Sequence, residues 1–145
     1  MITTFQESLD TMAFVPLDPA EPDALPSGKA LLVTMDFKGP VCGQVALVVP
    51  EHFAHTLAAN FLGTEPDDPE ADMKAADSIK ELVNVTVGAM MPRLATSKED
   101  MFDLSIPQSR AFDTESEWQR FTGQPNTSIF AAEGDTIAIQ LRLAA

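Results

Sequence analysis

The stretch DSIKELVNVTVGAMMP, from Asp77 to Pro92, places two carboxylates, a carboxamide and a glycine at Asp77, Glu81, Asn84 and Gly88. Intervals of three and four residues make helical neighbours. Each residue of an α-helix turns by about 100°. With Ile79 as reference, Ala76, Val83, Thr86, Met90 and Leu94 fall within roughly 60° of it, which is a core face. Asp77, Glu81, Asn84 and Gly88 fall within roughly 40° of the opposite direction. A polar outer face is ordinary for a surface helix. Asn and Gly are nevertheless poor helix formers, and Gly costs about 1 kcal/mol relative to Ala. A face selected only for solubility would carry Glu, Lys or Gln. Pro92 cannot donate to the carbonyl of Gly88, so the helix is expected to kink or end there. Local rules broken along one face point to a site.

The chemistry open to such a stripe is narrow. Asn is neither a useful acid nor a useful base. It can hold a water by accepting one hydrogen bond and donating another. Glu81 can pair with a cation. A glycine lets another surface approach closely. Together these groups suit docking on a charged centre and aiming a water at an electrophile that is already reactive, such as an acyl phosphate. Phosphoryl transfer depends mostly on position and electrostatics.

The elements that must hold this stripe can be read along the chain. Thr4 to Phe14 carries Phe5, Leu9, Met12 and Ala13 at amphipathic helical spacing. Four prolines from Pro16 to Pro26, with Gly28 after them, predict an extended connector. Ala30–Phe37 and Gly43–Pro50 read as two strands around the hairpin-type loop KGPVCG. EHFAHTLAANFLG follows as a helix with Phe53, Leu57 and Phe61 on one face and Gly63 as its stop. Five of the eight residues from Glu65 to Asp72 are acidic, a solvated loop and cap in which Asp68 and Pro69 start the long helix. That helix runs from about Glu70 to Met91 or slightly beyond. Met101–Pro107, Thr127–Gly134 and Asp135–Ala144 read as further strands, the last two joined by a hairpin. Gln108 to Asn126 reads as a loop or an irregular strand around Trp118 and Phe121. Hairpin connections predict one α+β domain over residues 1–145, a mainly antiparallel sheet with two long helices packed on it.

Composition excludes several partners. With 22 acidic against 9 basic residues the net charge is −13. That argues against nucleic acid, whose affinity comes largely from Lys and Arg on phosphates, and against anionic membrane surfaces. No run approaches a membrane span of about 18 apolar residues, and MITTFQESLDTMAF lacks the basic start of a secretory signal. A cytoplasmic protein is expected. The single cysteine, Cys42, allows no intramolecular disulfide and sits in a turn-like stretch with no nearby cationic partner except Lys38, so it reads as a passive small residue. His52 and His55 have no third ligand nearby and read as a surface pair, so no metal site is expected. Met73, Met90, Met91 and Met101 could line an adaptable partner groove, but read as core by default. Trp118 reads as core or as an interface anchor. There is no Gly-rich phosphate loop, no nucleophile elbow and no zinc-binding helix motif.

The pattern Asp/Ser-x3-Glu-x2-Asn, followed after 22 residues by Pro, resembles that of the CheC/CheX/FliY phosphatases, and here it is Asp77, Glu81, Asn84 and Pro107. Gly88, four residues after the Asn, fits the same pattern. ESLDTMAF is similar to the family's opening helix, DFKGPVCGQVALVVP to its first hairpin and SIFAAEGDTIAIQLRL to its closing hairpin. One motif copy per chain is CheX-like. The resemblance implies hydrolysis of the aspartyl phosphate of a CheY-like response-regulator receiver domain. Glu81 would pair with the receiver's Lys, and Asn84 would orient the attacking water. Asp77 would order the helix or the contact rim, and Pro107 would shape a strand end beside the site. No cofactor of its own is implied, Mg²⁺ being supplied by the receiver. A homodimer through sheet edges is also implied. The alternative is a silent binding module, or a dimeric scaffold, docking on a response regulator or a flagellar component.

Overall fold

A computed structural model describes residues 18–19, 28–65, 68–95, 97, 99–132 and 135–143. The described strands are β1 (Asp18–Pro19), β2 (Ala30–Lys38), β3 (Gly43–Pro50), β4 (Asp103–Leu104), β5 (Gln108–Phe112), β6 (Thr127–Ala132) and β7 (Asp135–Leu143). The helices are α1 (Glu51–Leu62), α2 (Pro69–Leu94) and α3 (Thr114–Thr122). All strand pairs are antiparallel, in the order β1-β6-β7-β3-β2-β4, and β5 pairs with β2 as well. The α+β expectation therefore holds. The opening helix expected at Thr4–Phe14 lies outside the described residues. So does the Pro-rich connector, apart from Asp18 and Pro19, which pair with Ala131 and Phe130.

Side chains alternate across each strand, so β2, β3 and β7 feed two cores. On one face Val33, Met35, Phe37, Val45, Leu47, Val49, Ile137 and Ile139 pack with residues of α1 and α2. On the other, Leu32, Ala46, Val48, Ile129 and Ala138 pack with Phe112 and Trp118, and Phe121 lies against them. The helix starts and stops follow local chemistry. Gly63 caps α1 with φ 70°, the left-handed conformation that costs glycine little. The Asp68 side chain accepts from the Glu70 N–H at 2.8 Å, and Pro69 occupies the first turn of α2.

The long helix runs slightly beyond Met91, to Leu94, with Pro92 in its last turn, and closes with the Ala95 N–H on the Met91 carbonyl at 3.0 Å. Three expectations need correction. Of the strand expected over Met101–Pro107, only Asp103 and Leu104 pair with β2. The stretch Gln108–Asn126 holds the strand β5 and the helix α3, rather than a loop or an irregular strand. Trp118 is in the core at 1% exposure, whereas Met73 and Met101 are exposed rather than core.

Candidate functional site

α2 is anchored by one face and free on the other. Ile79, Leu82, Val83, Thr86, Val87 and Met90 are buried, and Ala76, expected on the core face, is only half-buried. Two polar residues on the inner side satisfy themselves within the helix. The Ser78 hydroxyl donates to the Lys74 carbonyl at 2.9 Å and that of Thr86 to the Leu82 carbonyl at 2.8 Å. Asp77, Glu81, Asn84 and Gly88 are all exposed on the outer side. Among the described residues, none buries this stripe. Gly88 illustrates the point, since a Cβ built there meets nothing within 4 Å.

The wall facing the stripe comes from the segment after β4. The Ser105 N–H donates to the Asp36 carbonyl at 2.9 Å, and the Asp36 N–H donates to the Ser105 hydroxyl at 2.8 Å. These bonds fix the chain against the edge of β2 and bring Ile106 and Pro107 towards α2. The result is an open pocket of about 300 Å³ lined by Met35, Asp77, Lys80, Glu81, Asn84, Leu104, Ser105, Ile106 and Pro107. Four of the five residues singled out from the sequence thus meet around one pocket. Gly88 lies in the adjoining groove of about 680 Å³, with Met91, Pro92, Phe102 and Leu104 among its walls. Leu104 belongs to both.

Sequence reasoning missed Lys80, Leu104 and Ile106. Lys80 lies between the two faces of α2 and carries no spacing signal. Leu104 and Ile106 were hidden in a segment read as an ordinary strand. The lining offers carboxylates, an ammonium, a carboxamide and a hydroxyl. Ser105 is committed to holding the backbone, so it is not a free nucleophile. A carboxamide one turn from a carboxylate can position a water and grip a cation but cannot by itself drive covalent chemistry.

The weaker candidates form no second centre. His52 Nδ1 lies 3.1 Å from Asp135 Oδ2, which joins α1 to the start of β7. Cys42 is exposed. Among the described residues, no group of three or more His, Cys, Asp or Glu could hold a metal ion, and no helix is long and apolar enough to cross a membrane.

Comparison with known proteins places this geometry in context. The family model for the chemotaxis phosphatase CheX matches residues 31–115, a span that includes Asp77, Glu81, Asn84 and Pro107. No curated protein sequence matches the chain significantly. Among solved structures, the chemotaxis protein CheX of Vibrio vulnificus is similar with TM-score 0.75 and 21% identity, over 99% of this chain and 93% of that one. A CheC-like superfamily protein of Shewanella sp. PV-4 gives TM-score 0.69 and 19% identity over 99% and 94%. CheX of Borrelia burgdorferi, solved in a complex with CheY, BeF3 and Mg²⁺, gives 0.68 and 17% over 99% and 95%.

Proposed function

Because this chain belongs to the CheX family of chemotaxis phosphatases, we propose that it hydrolyses the aspartyl phosphate of a CheY-like receiver domain, with Glu81 and Asn84 as the working residues. The observation that carries this reading is their joint exposure, one helical turn apart, on a helix whose other face is locked into the core. Glu81 pairs with the receiver's Lys and sets the depth of docking. The Asn84 carboxamide enters the phosphorylated pocket and holds a water in line with phosphorus. The water oxygen bonds to phosphorus as the bond from phosphorus to the aspartate oxygen breaks. The receiver recovers a free carboxylate, and the water's proton leaves with inorganic phosphate. The Mg²⁺ in this reaction belongs to the receiver. Asp77 orders the rim, Gly88 admits the partner's surface, and Pro107 holds the facing wall. Residues 1–145 act as one cytoplasmic domain and pair through sheet edges as a homodimer.

The two principal residues fail differently. Loss of a positioned water costs about 10²-fold in rate, whereas a desolvated interface ion pair is worth about 1.5–7 kcal/mol. Asn84→Ala is therefore expected to bind a receiver activated by BeF3 and Mg²⁺ as tightly as the parent while losing about 10²-fold in turnover. Glu81→Ala mainly weakens binding. Phosphate loss from a panel of phosphorylated receivers, followed with and without the protein, is the measurement. If Asn84→Ala turns over normally, its assigned role is wrong. If a receiver binds but loses phosphate no faster, the chain is a docking module.

A further inference from the structure

Ile106 and Leu104 are large apolar side chains left in water on a segment that is not loose. Ile106 is 83% exposed and Leu104 is 40% exposed. β4 pairs with β2 at Phe37↔Leu104 and Lys38↔Asp103, and the two hydrogen bonds between Ser105 and Asp36 pin the next residue. Isolated exposed apolar residues are ordinary. These two, however, line the same pocket as Asp77, Glu81 and Asn84, and Leu104 continues into the groove beside Gly88. An isoleucine held rigidly beside carboxylates adds nothing to the core behind it.

We propose that Ile106 and Leu104 form an apolar rim that recognises the receiver domain, covering apolar surface next to its phosphorylated pocket. The inference rests on the phosphatase reading and specifies which part of this chain selects the partner. The physical need is clear. A Glu–Lys contact in open water is weak because water competes for both charges. Apolar contacts around it exclude that water, as the rims of binding hot spots do. The rim lies on the wall opposite α2, so a partner entering between them would be held on two sides of Asn84. Of the possible occupants, the receiver is favoured by continuity. The rim, Glu81 and Asn84 line one open pocket.

The test measures steady-state phosphate release and the affinity for the receiver activated by BeF3 and Mg²⁺. Ile106→Ser is expected to raise both KM and Kd about tenfold, in keeping with the loss of one buried aliphatic side chain, while kcat at saturation is retained. Leu104→Ser shifts them the same way, and Ile106→Val stays within about fourfold of the parent, since only one methylene is lost. Met73→Ser removes an equally exposed apolar residue of α2 that lines neither cavity, and it leaves both constants unchanged. Unchanged KM and Kd in Ile106→Ser overturn the rim while leaving the phosphatase reading intact. A change of oligomeric mass in Ile106→Ser also overturns it, by showing that a second copy of the chain covers this residue. If the parent chain accelerates no receiver, the phosphatase reading falls and takes the rim with it.

Discussion

At the scale of single residues, Gly88 separates what the helix wants from what its outer surface does. Nothing in the fold requires glycine there, because the space above its Cα is open. An alanine should therefore stabilise the helix by up to about 1 kcal/mol, which would raise the melting temperature by a few degrees. If a receiver must approach that patch of backbone, the same methyl group obstructs it. Gly88→Ala is thus expected to melt higher and to lose about tenfold or more in kcat/KM, a deficit of about 1.4 kcal/mol. Thermal unfolding and phosphatase assays on one preparation check both halves. A variant that is stabilised and fully active would return Gly88 to an ordinary surface position. The stripe itself was legible because a helix converts spacing into direction, so Asp77, Glu81, Asn84 and Gly88 needed no tertiary information. Pro107 was found only through the motif. Lys80 was not found, since at about 100° from its neighbours it belongs to neither stripe.

At the scale of elements, legibility followed burial. β2 and β3 lie inside the sheet and read as nearly continuous apolar runs, as strands covered on both faces do. α1 and α2 announced themselves through Gly63 and through Asp68 with Pro69. β5 and α3 did not, although signals were there. β5 is an outer strand with only Phe112 buried, so its side chains show no apolar alternation. In α3, Trp118 and Phe121 are three residues apart and point to the second core. Asp113 and Glu117 both cap its start: the Glu117 carboxylate accepts from the Asp113 N–H at 2.8 Å, and the Asp113 carboxylate accepts from the Ser116 N–H at 3.4 Å. Glu117 also takes both guanidinium nitrogens of Arg110, at 3.0 and 3.1 Å, and so ties β5 to α3. The hydrogen bonds from Arg110, followed by that from the Asp113 backbone, hold the Glu117 carboxyl below its ordinary value of 4.5. A depressed folded value means that the stabilisation is complete above the ordinary value and is lost as pH falls through the folded one. The pair is partly exposed, so Arg110→Ala should cost about 0.2–1 kcal/mol at neutral pH. That difference from the parent should shrink as denaturation is repeated at successively lower pH below 4.5. A difference independent of pH would mean that Arg110 acts through packing alone.

At the scale of the whole molecule, two features oppose each other. At one end of the sheet β4 and β5 together cover seven residues of β2, and β4 carries Leu104 of the proposed rim. At the other end, among the described residues, β1 pairs with two residues of β6. An edge strand carries backbone groups that can pair with another chain, and the proposed homodimer would use the β1–β6 end. The charge of −13 resists it, because two identical chains repel each other over the Debye length, about 10 Å at 0.1 M salt. Backbone pairing is short-ranged and barely screened, whereas the repulsion is long-ranged and screened strongly. Raising the ionic strength should therefore tighten the dimer. Light scattering over a concentration series should find a species of twice the 15.6 kDa chain mass, with a dissociation constant that falls as salt is added. The proposed docking of Glu81 on a receiver lysine would be an attraction between opposite charges, so it should weaken along the same series. Opposite responses to salt would show that the two contacts differ in kind, backbone pairing against net repulsion in one and an ion pair in the other. If the chain stays at 15.6 kDa at every concentration and salt, the sheet edges are not used, and one copy must present α2 to its receiver alone.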